Sequence, residues 1–316
     1  SLIPYRLTET SPSSGIFSGE IILTGFLHDV DGDGNTEFSS GWSEFTGITY
    51  DNDLYLSGTL NNGQSKQFAT KIDIDTGETS NSYGNSGYKK ISYGDSDDSF
   101  TTTMSLDNSR TVWMSGYRQA SDTSKIIISA VDDEGESFEG EESDDGGHFE
   151  NGKHTISYTS TPSDDTAVKT LRIMNGSHAG KFLVASRANA NNSNDIVLTR
   201  FTSDGALDSS FDSDGHKQVK IGEDVEVVGL IELTSGKFIV YGNITEESIV
   251  NGIIAKLDGE GNLDSSFATN GIYTTEGISA NEIVFNQAAV DSNNSIVAVG
   301  TLDGGSFILR LNNGGS

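Results

Sequence analysis

Short runs of mostly apolar residues, each ending on a small residue, recur along the chain at nearly equal intervals, with one longer interval between the second and third runs. Each run follows a turn rich in Asp, Asn or Gly, which is typical of a β-strand entered from a tight turn. We interpret these runs as the second strand of a repeated unit. The five runs are Leu54–Gly58, Val112–Gly116, Phe182–Ser186, Phe238–Gly242 and Ile296–Gly300.

Each run lies between two further β-type segments. The predicted first strands are Phe45–Tyr50, Phe100–Leu106, Ala167–Met174, Val225–Leu233 and Ile283–Val290. The predicted third strands are Gln67–Ile74, Lys125–Val131, Asp195–Phe201, Ile249–Leu257 and Ser306–Leu311. The recurrence predicts five units of consecutive antiparallel strands.

A repeated phrase marks the end of two units. Gly205–Phe211 returns as Gly261–Phe267, one repeat further along the chain, and a glycine follows each copy at the same offset, at Gly215 and Gly271. We predict that Leu-Asp-Ser-Ser-Phe in each copy forms the fourth strand of its unit. Four-stranded units repeated around an axis make a β-propeller, so the sequence predicts an all-β fold with five or six four-stranded blades in a single domain, residues 1–316.

The two ends of the chain are predicted to meet. The last unit stops at Leu311–Ser316, before the fourth strand that its predecessors have. Ser1–Tyr5 could supply that strand, which would join the last blade to the start of the chain and remove an exposed sheet edge. Residues 1–42 are then the closing strand and a metal-binding loop, and residues 43–316 are the five repeats. Ile21–Gly25 resembles a second strand, so a sixth blade and an elaborated closing blade both stay open.

The repeated phrase also carries a family resemblance. Asp-Gly-x-Leu-Asp-x-Ser-Phe, with Glu260 in place of the first Asp in the second copy, occurs together with a lysine and an Ile/Val run that ends on glycine, Gly236–Gly242. This pattern resembles the delta-60 repeat of bacterial surface and secreted β-propellers over residues 180–316. The resemblance implies a propeller fold and an extracellular or bacterial cell-surface setting, and it supplies no catalytic residues.

Composition and charge limit the possible partners. With 37 glycines and three prolines, the turns must be made by Gly, Asn, Asp and Ser. The 47 acidic and 19 basic residues give a net charge of −28, which repels nucleic acid and anionic membranes. Such a charge favours a saline or calcium-rich exterior, where it is screened, and a highly soluble cytosolic protein is the alternative.

The sequence lacks cysteine and lacks long apolar stretches, and both absences limit the kinds of protein it could be. The chain has no cysteine, so no disulfide or zinc–thiolate site is available. No apolar stretch approaches the roughly 18 residues of a membrane-spanning helix, so we predict no membrane insertion. Because the chain begins with Ser1 rather than methionine, we expect a domain of a longer polypeptide or a mature product, and we predict that it is monomeric.

One loop carries the chemistry of a calcium site. Asp29, Asp31 and Asp33 stand at positions 1, 3 and 5 of a tight loop, where their carboxylates converge on one point. Asn35 offers its backbone carbonyl at position 7, and Glu37 adds an oxygen at position 9 directly or through water. Hard oxygen ligands of this number suit Ca²⁺, so these five residues are the predicted metal ligands.

The loop resembles the Asp-x-Asp-Gly-Asp-Gly loops of integrin-type (FG-GAP) propeller repeats. Those loops normally carry aspartate at position 9, where this chain has Glu37, and a helical EF-hand would need a glutamate at position 12, which is Ser40 here. An ordinary Asp/Gly surface turn is the alternative interpretation. Asp212–Gly215 and Asp95–Asp98 are weaker copies of the pattern.

An acidic segment interrupts the repeat. Ten of the nineteen residues between Asp132 and Glu150 are acidic. We interpret the segment as a solvated loop or an extended outer hairpin, and a second cation site is the alternative. Repeat proteins place such insertions on one face, often the binding face.

Catalytic motifs are absent from the sequence. It contains no His-Glu-x-x-His pair, no Gly-x-Ser-x-Gly elbow and no phosphate loop. Asp208 and Asp264 could be compared with a glycosidase carboxylate pair, but they recur at equivalent repeat positions, which favours a role in the turn. Trp113 is expected to be buried in a strand, and Trp42 is the more exposed candidate for stacking on a sugar ring.

These observations favour a calcium-stabilised, non-enzymatic recognition or adhesion module of a bacterial surface or secreted protein. The module would bind an unidentified glycan or protein on one face of the propeller. A polysaccharide hydrolase or lyase with carboxylates in the central channel is one alternative. A pure spacer domain without a ligand is another.

Overall fold

The computed structural model describes residues 8–9, 17–18, 42–50, 53–61, 63–73, 75, 79–85, 87–94, 97–120, 123–139, 151–156, 165–190, 193–222 and 224–316. In these residues the regular structure consists of β-strands and one turn of 3-10 helix, Gly176–His178.

The strands form one small and five larger sheets within the described residues. β1 (Thr8–Glu9) pairs with β2 (Phe17–Ser18). The first sheet contains β3 (Trp42–Tyr50), β4 (Asp53–Asn61), β5 (Ser65–Asp73) and β6 (Tyr88–Ile91), and the second contains β7 (Asp98–Leu106), β8 (Val112–Ala120), β9 (Thr123–Val131) and β10 (Lys153–Ile156). The third contains β11 (Thr166–Arg172), β12 (Phe182–Ala190), β13 (Ser193–Phe201) and β14 (His216–Val219), and the fourth contains β15 (Val225–Glu232), β16 (Phe238–Glu246), β17 (Ile249–Leu257) and β18 (Ile272–Thr274). The fifth contains β19 (Ile283–Val290), β20 (Ile296–Leu302) and β21 (Gly305–Leu311).

Each larger sheet is an antiparallel meander, in which strands that follow one another along the chain are also neighbours in the sheet. The first strands of successive sheets lie next to one another, so the sheets pack face to face with their first strands innermost. Separate apolar cores fill the four junctions between consecutive sheets of the described chain. This is the propeller-like arrangement that the repeat predicts.

The predicted first, second and third strands agree with the structure apart from their ends. The second strands are longer than predicted because they continue past the small residue, as in Phe238–Glu246. Trp113 is fully buried in the second strand of its sheet, as expected.

The prediction that Leu-Asp-Ser-Ser-Phe forms a fourth strand is wrong. Leu207 makes a single bridge to Phe201, and the residues after it form a compact turn. The Asp208 carboxylate accepts hydrogen bonds from the Ser210 backbone and side chain, and such local bonds compete with the pairing of a strand. The fourth strand begins only after Gly215, with β14, and the same holds for β18 after Gly271.

A β-bulge occurs in the first strand of all five larger sheets of the described chain. It explains the small residue in the second strand. A Cβ at Gly242 would lie 2.0 Å from the Glu226 carbonyl oxygen, and one at Gly116 would lie 1.8 Å from that of Phe100. The bulged strand therefore approaches the second strand too closely for a side chain at these positions. Ser186 is the exception among these positions, and it pairs with Ala167 beside the bulge of the third sheet.

The fifth sheet has three strands in the described residues. Ser1–Tyr5, the predicted fourth strand, and Ile21–Gly25 lie outside the described residues, so closure by the N-terminus stays a prediction. No helix in the described ranges has the length and apolar character needed to span a membrane.

Candidate functional site

The predicted calcium loop lies outside the described residues, and this applies to all five of its ligands, Asp29, Asp31, Asp33, Asn35 and Glu37. Calcium binding therefore stays a prediction. Elsewhere, in the part of the chain that the structure describes, no group of three or more His, Asp or Glu side chains gathers in the manner of a metal site.

The described chain instead shows a recurrent charged site at the junctions between sheets. Its centre is the residue of the third strand that pairs with the second residue of each apolar run. Four of the five sheets of the described chain carry a basic residue there, and we call it the junction base. The residues at this position are Lys71, Ala130, Arg200, Lys256 and Arg310.

Arg200 is the most buried junction base, with a side chain that is 0% exposed. Its Nε lies 2.5 Å from Asp208 Oδ2, and its Nη1 donates to the Gly259 carbonyl oxygen at 3.0 Å. Gly259 lies in the connection after the third strand of the next sheet. The guanidinium thus joins the turn of its own sheet to the turn of the following one.

Asp208 is bound from several sides. Lys181 Nζ donates to Oδ2 at 2.6 Å, while the Ser210 hydroxyl donates to Oδ1 at 2.6 Å. Burial works to raise the pKa of Asp208, but the hydrogen bonds from Lys181, Ser210 and Arg200 outweigh it and hold the pKa at about 2. This carboxylate is therefore permanently ionised near neutral pH.

The same arrangement recurs in the fourth sheet. Lys237 Nζ donates to Asp264 Oδ2 at 2.8 Å, and the hydrogen bonds from Lys237 and Ser266 hold the pKa of Asp264 at about 2. Lys256 takes the place of Arg200 and donates to the backbone oxygen of Asn313 at 3.0 Å and to its side-chain oxygen at 2.6 Å. Burial lowers the pKa of Lys256, while Asp264 opposes that shift. Here too the base reaches the following sheet.

A third version joins the first sheet to the second. Lys71 Nζ donates to Asp133 Oδ1 at 2.9 Å, and Arg110 Nη1 donates to Asp133 Oδ2 at 3.1 Å. The Tyr55 hydroxyl also donates to Asp133. Burial raises the pKa of Tyr55, and the hydrogen bond to Asp133 raises it further. Burial works to raise the pKa of Asp133 as well, but the hydrogen bonds from Tyr55 and Lys71 outweigh it and lower that pKa. The tyrosine is therefore neutral and the carboxylate ionised at neutral pH.

The junction between the second and third sheets has a different chemistry. Ala130 replaces the base, and the Trp113 ring stacks on Phe182 of the next sheet with 4.0 Å between ring centres. Phe138 packs on the same tryptophan at 5.5 Å. An aromatic stack thus stands where the other junctions have a charge pair.

Many acidic side chains in the described residues act as turn formers. In each of four hairpin turns, an aspartate Oδ1 accepts the backbone N–H groups of the second and fourth residues after it. This is the side-chain chemistry of an Asx turn. These four carboxylates therefore have a local structural use. The four residues are Asp107, Asp132, Asp258 and Asp291.

The other residues singled out in the sequence also have protein partners where they are described. Asp214 of the weak Asp212–Gly215 copy accepts the His216 N–H, and Asp98 of the Asp95–Asp98 copy accepts the Ser65 N–H. His178 Nε2 lies 2.6 Å from Glu260 Oε1, across the third and fourth sheets. His28 and His148 lie outside the described residues, as do residues 140–150 of the acidic segment.

One comparison with known protein families bears on the architecture. The model of a family described as "Domain of unknown function (DUF5122) beta-propeller" matches residues 180–211. The match covers β12, β13 and the turn that contains Asp208. It bears out a propeller-type repeat at this point of an all-β chain with several four-stranded sheets.

Solved structures resemble the chain only distantly. Sqt1 from Chaetomium thermophilum is 12% identical with a TM-score of 0.43, and the alignment covers 84% of this chain but only 57% of Sqt1. A GH43 endo-arabinanase from Bacillus licheniformis is 12% identical with a TM-score of 0.35, covering 84% of this chain and 91% of the enzyme. The polysaccharide lyase Uly1 is 10% identical with a TM-score of 0.36, covering 90% and 81%. No curated protein sequence matches the chain.

The junction base is not among the site residues predicted from the sequence. Its signal was nevertheless present, because Arg200 and Lys256 are separated by the same interval as the two copies of the closing phrase. A basic residue in an otherwise apolar strand of an acidic protein indicates a buried partner.

Proposed function

We propose that this chain forms a β-propeller of five or six blades, closed through its N-terminal residues, and serves as a non-enzymatic recognition or adhesion module. In this proposal it is a domain of a bacterial cell-surface or secreted protein, and it binds a glycan or a protein. Ca²⁺ held by Asp29, Asp31, Asp33, Asn35 and Glu37 stabilises its N-terminal region.

The ionisation of the two repeated carboxylates, Asp208 and Asp264, bears on the choice between a binding module and an enzyme. A glycosidase needs one carboxylic acid that can donate a proton near neutral pH, and its pKa is raised for that purpose. Asp208 and Asp264 have the opposite property, because lysine and serine donors hold the pKa of each at about 2. Both support turns, which favours a structural use of the repeated motif.

The end of the sheets that carries the acidic segment is the proposed binding end. In an antiparallel meander, the turns between first and second strands lie at the same end as the connections between third and fourth strands. Among the connections between third and fourth strands in the described sheets, the one between β9 and β10 is the longest. Glu134, Glu136 and Glu139 are exposed on it. An acidic surface disfavours polyanions and suits a basic protein segment or a neutral glycan bound through calcium.

A binding screen tests this proposal. The full chain is applied to an array of glycans and to a panel of basic and acidic proteins, each with Ca²⁺ and with EDTA. We expect a basic protein or a neutral glycan to bind, and the variant Glu134→Gln/Glu136→Gln/Glu139→Gln to bind more weakly.

The matched control is Glu246→Gln/Glu247→Gln, at an exposed hairpin of the opposite end. Equal binding by both variants would remove the acidic end from the proposal. The spacer alternative predicts no ligand in either arm. Release of reducing ends or of unsaturated products from a polysaccharide panel would instead identify an enzyme.

A further inference from the structure

Three junction bases bind the same position of the next sheet, which is the second residue of the turn after its third strand. Lys71 binds a carboxylate there, that of Asp133, and Arg200 binds the backbone carbonyl oxygen of Gly259. The chemical group at this turn position therefore decides what the base can do. At the junction between the fourth and fifth sheets that group is a carboxamide.

The carboxamide belongs to Asn313. Lys256 Nζ lies 2.6 Å from its side-chain oxygen and 3.0 Å from its backbone oxygen, so two hydrogen bonds hold the amine against this residue. The other lysines that donate to a side chain in the described ranges all donate to a carboxylate. The carbonyl carbon of the carboxamide, Cγ, is bonded directly to the oxygen that Lys256 contacts. An amine and a carboxamide thus meet at this junction.

The surroundings of Lys256 favour its neutral, nucleophilic form. Its side chain is 7% exposed, and Nζ lies 5.7 Å from the centre of the buried Phe267 ring. Burial lowers the pKa of Lys256 because the charged amine loses solvation. The carboxylate of Asp264 opposes this shift, and the positive charge of Lys237 adds to it.

A carboxylate that can accept a proton lies beside the amine. Asp264 Oδ2 is 3.9 Å from Lys256 Nζ, and the Asp264 side chain is 10% exposed. Its pKa of about 2 keeps it ionised near neutral pH, so it is in the form that accepts a proton. Asn313 itself is exposed, which leaves a path to solvent for a departing group.

The turn that carries Asn313 is fixed on both sides. The Asn312 side-chain oxygen accepts the N–H groups of Gly314 and Ser316. The Gly314 carbonyl oxygen accepts the Ala268 N–H of the fourth sheet at 2.8 Å. The amine and the carboxamide are therefore held in contact, which greatly raises the rate of a reaction between them. The backbone nitrogen of Gly314, which could also attack this carboxamide, is held by Asn312 at 2.9 Å.

We propose that Lys256 and Asn313 become joined by an amide bond between their side chains, which links the fourth sheet covalently to the fifth. The lone pair of the neutral Lys256 amine attacks Asn313 Cγ, and the Nζ–Cγ bond forms. The Cγ–Nδ2 bond breaks, and Nδ2 leaves as ammonia with a proton that Asp264 Oδ2 accepts from Nζ and passes on. The ammonia then takes up the proton that the Lys256 ammonium lost to become a neutral amine, so atoms and charge balance without a further reactant.

Mass spectrometry of the full chain tests this bond. After denaturation the intact protein should be lighter than its sequence mass by one ammonia, and proteolysis should release a branched peptide that joins Lys256 to Asn313. A chain of full sequence mass would overturn the proposal. Loss of ammonia without a branched peptide would place a cyclic imide at Asn313 and Gly314, and would overturn it as well. The bond does not depend on the proposed ligand binding, so each can fail alone.

Two variants copy the contact between Arg200 and Gly259 and cannot form the bond. Lys256→Arg and Asn313→Gly should each have the full sequence mass and no branched peptide. The matched control is Lys217→Arg, at a lysine that pairs with the exposed Asp212, and it should carry the bond as the wild type does. Loss of ammonia in Lys256→Arg would assign that loss to another site and overturn the proposal.

A further variant tests the proton transfer. Asp264→Asn should carry the branched peptide in a much smaller fraction of molecules, because proton transfer by a positioned carboxylate is worth roughly a hundredfold in rate. Circular dichroism checks that this variant is folded. An undiminished branched peptide in folded Asp264→Asn would overturn the role of Asp264.

Discussion

The guanidinium carbon of Arg200 lies 4.4 Å from the centre of the Phe211 ring, while the same guanidinium binds the carboxylate of Asp208. Phe211 closes the Leu-Asp-Ser-Ser-Phe turn, and both its ring and the Arg200 side chain are buried. The turn is therefore built around a buried cation that contacts an aromatic face on one side and a carboxylate on the other.

Removing this cation should destabilise the protein. We expect Arg200→Met to lower the free energy of unfolding by roughly 2 to 4 kcal/mol, because it leaves Asp208 with one partner fewer in a buried site. Arg200→Lys, which copies the base of the next repeat, should lose less. Urea unfolding followed by circular dichroism measures both.

The control for these variants is Lys89→Met. Lys89 pairs with the exposed Glu136 at 3.4 Å, and the loss of such a surface pair should cost about 1 kcal/mol or less. Equal losses of unfolding free energy at the two sites would show that the buried pair stabilises the protein no more than the surface pair does.

Acid should weaken the same turn. The pKa of Asp208 is about 2 in the folded protein and about 4 in an unfolded chain, so the unfolded state takes up the proton first as the pH falls. Its stabilising effect is complete above about pH 5 and is lost as the pH falls through about 2. Solvent screening reduces the effect to roughly 1 to 2 kcal/mol.

The variant Asp208→Asn should show a flatter dependence of the unfolding free energy on pH between about 5 and 2. Asp204→Asn, an exposed neighbour, serves as the control. If Asp208→Asn followed the wild-type curve throughout, the carboxylate would contribute nothing through its ionisation.

The bulge opposite the second strand makes a separate prediction. At Gly242 an added methyl group would meet the Glu226 carbonyl oxygen at 2.0 Å, so Gly242→Ala must displace one strand. We expect a loss of about 2 kcal/mol or more in the free energy of unfolding. At Gly94 the nearest atom, in the Asp97 side chain, lies at 3.4 Å, and Gly94→Ala should be nearly neutral. A neutral Gly242→Ala would mean that the strands separate easily at the bulge.

Calcium should stabilise the chain if Asp29, Asp31, Asp33, Asn35 and Glu37 bind it. Because the ion would bind the folded form, free Ca²⁺ at about 100 times its dissociation constant adds about 2.7 kcal/mol. EDTA should therefore lower the melting temperature of the wild type and leave that of Asp31→Ala unchanged, with Asp204→Ala as a control. A wild-type melting temperature that is the same with and without EDTA would argue against the calcium site.

Much of the fold could be predicted from the sequence because the first three strands of each larger sheet carry a local signal. The apolar run that ends on Gly116 or Gly242 marks both the second strand and the bulge beside it. The order of strands followed directly, since each sheet is a meander of chain neighbours.

The errors and omissions have different physical origins. The apolar ends of Leu207–Phe211 predict a strand. The Asp208 carboxylate instead accepts hydrogen bonds from the backbone and the side chain of Ser210, and these bonds stabilise a turn. The role of the junction base in joining two sheets could not be predicted because its acceptor in the next sheet lies far along the chain, as with Arg200 and Gly259. Calcium binding stays a sequence-based prediction, since its loop lies outside the described residues.

Three of the junction bases contact the sheet that follows them in the chain, so the order of the repeats matters for these contacts. Lys71, Arg200 and Lys256 each bind a group of the following sheet, so a single repeat cut out of the chain would keep its base and lose one of the acceptors of that base. An excised or permuted arrangement must therefore preserve neighbouring pairs of repeats.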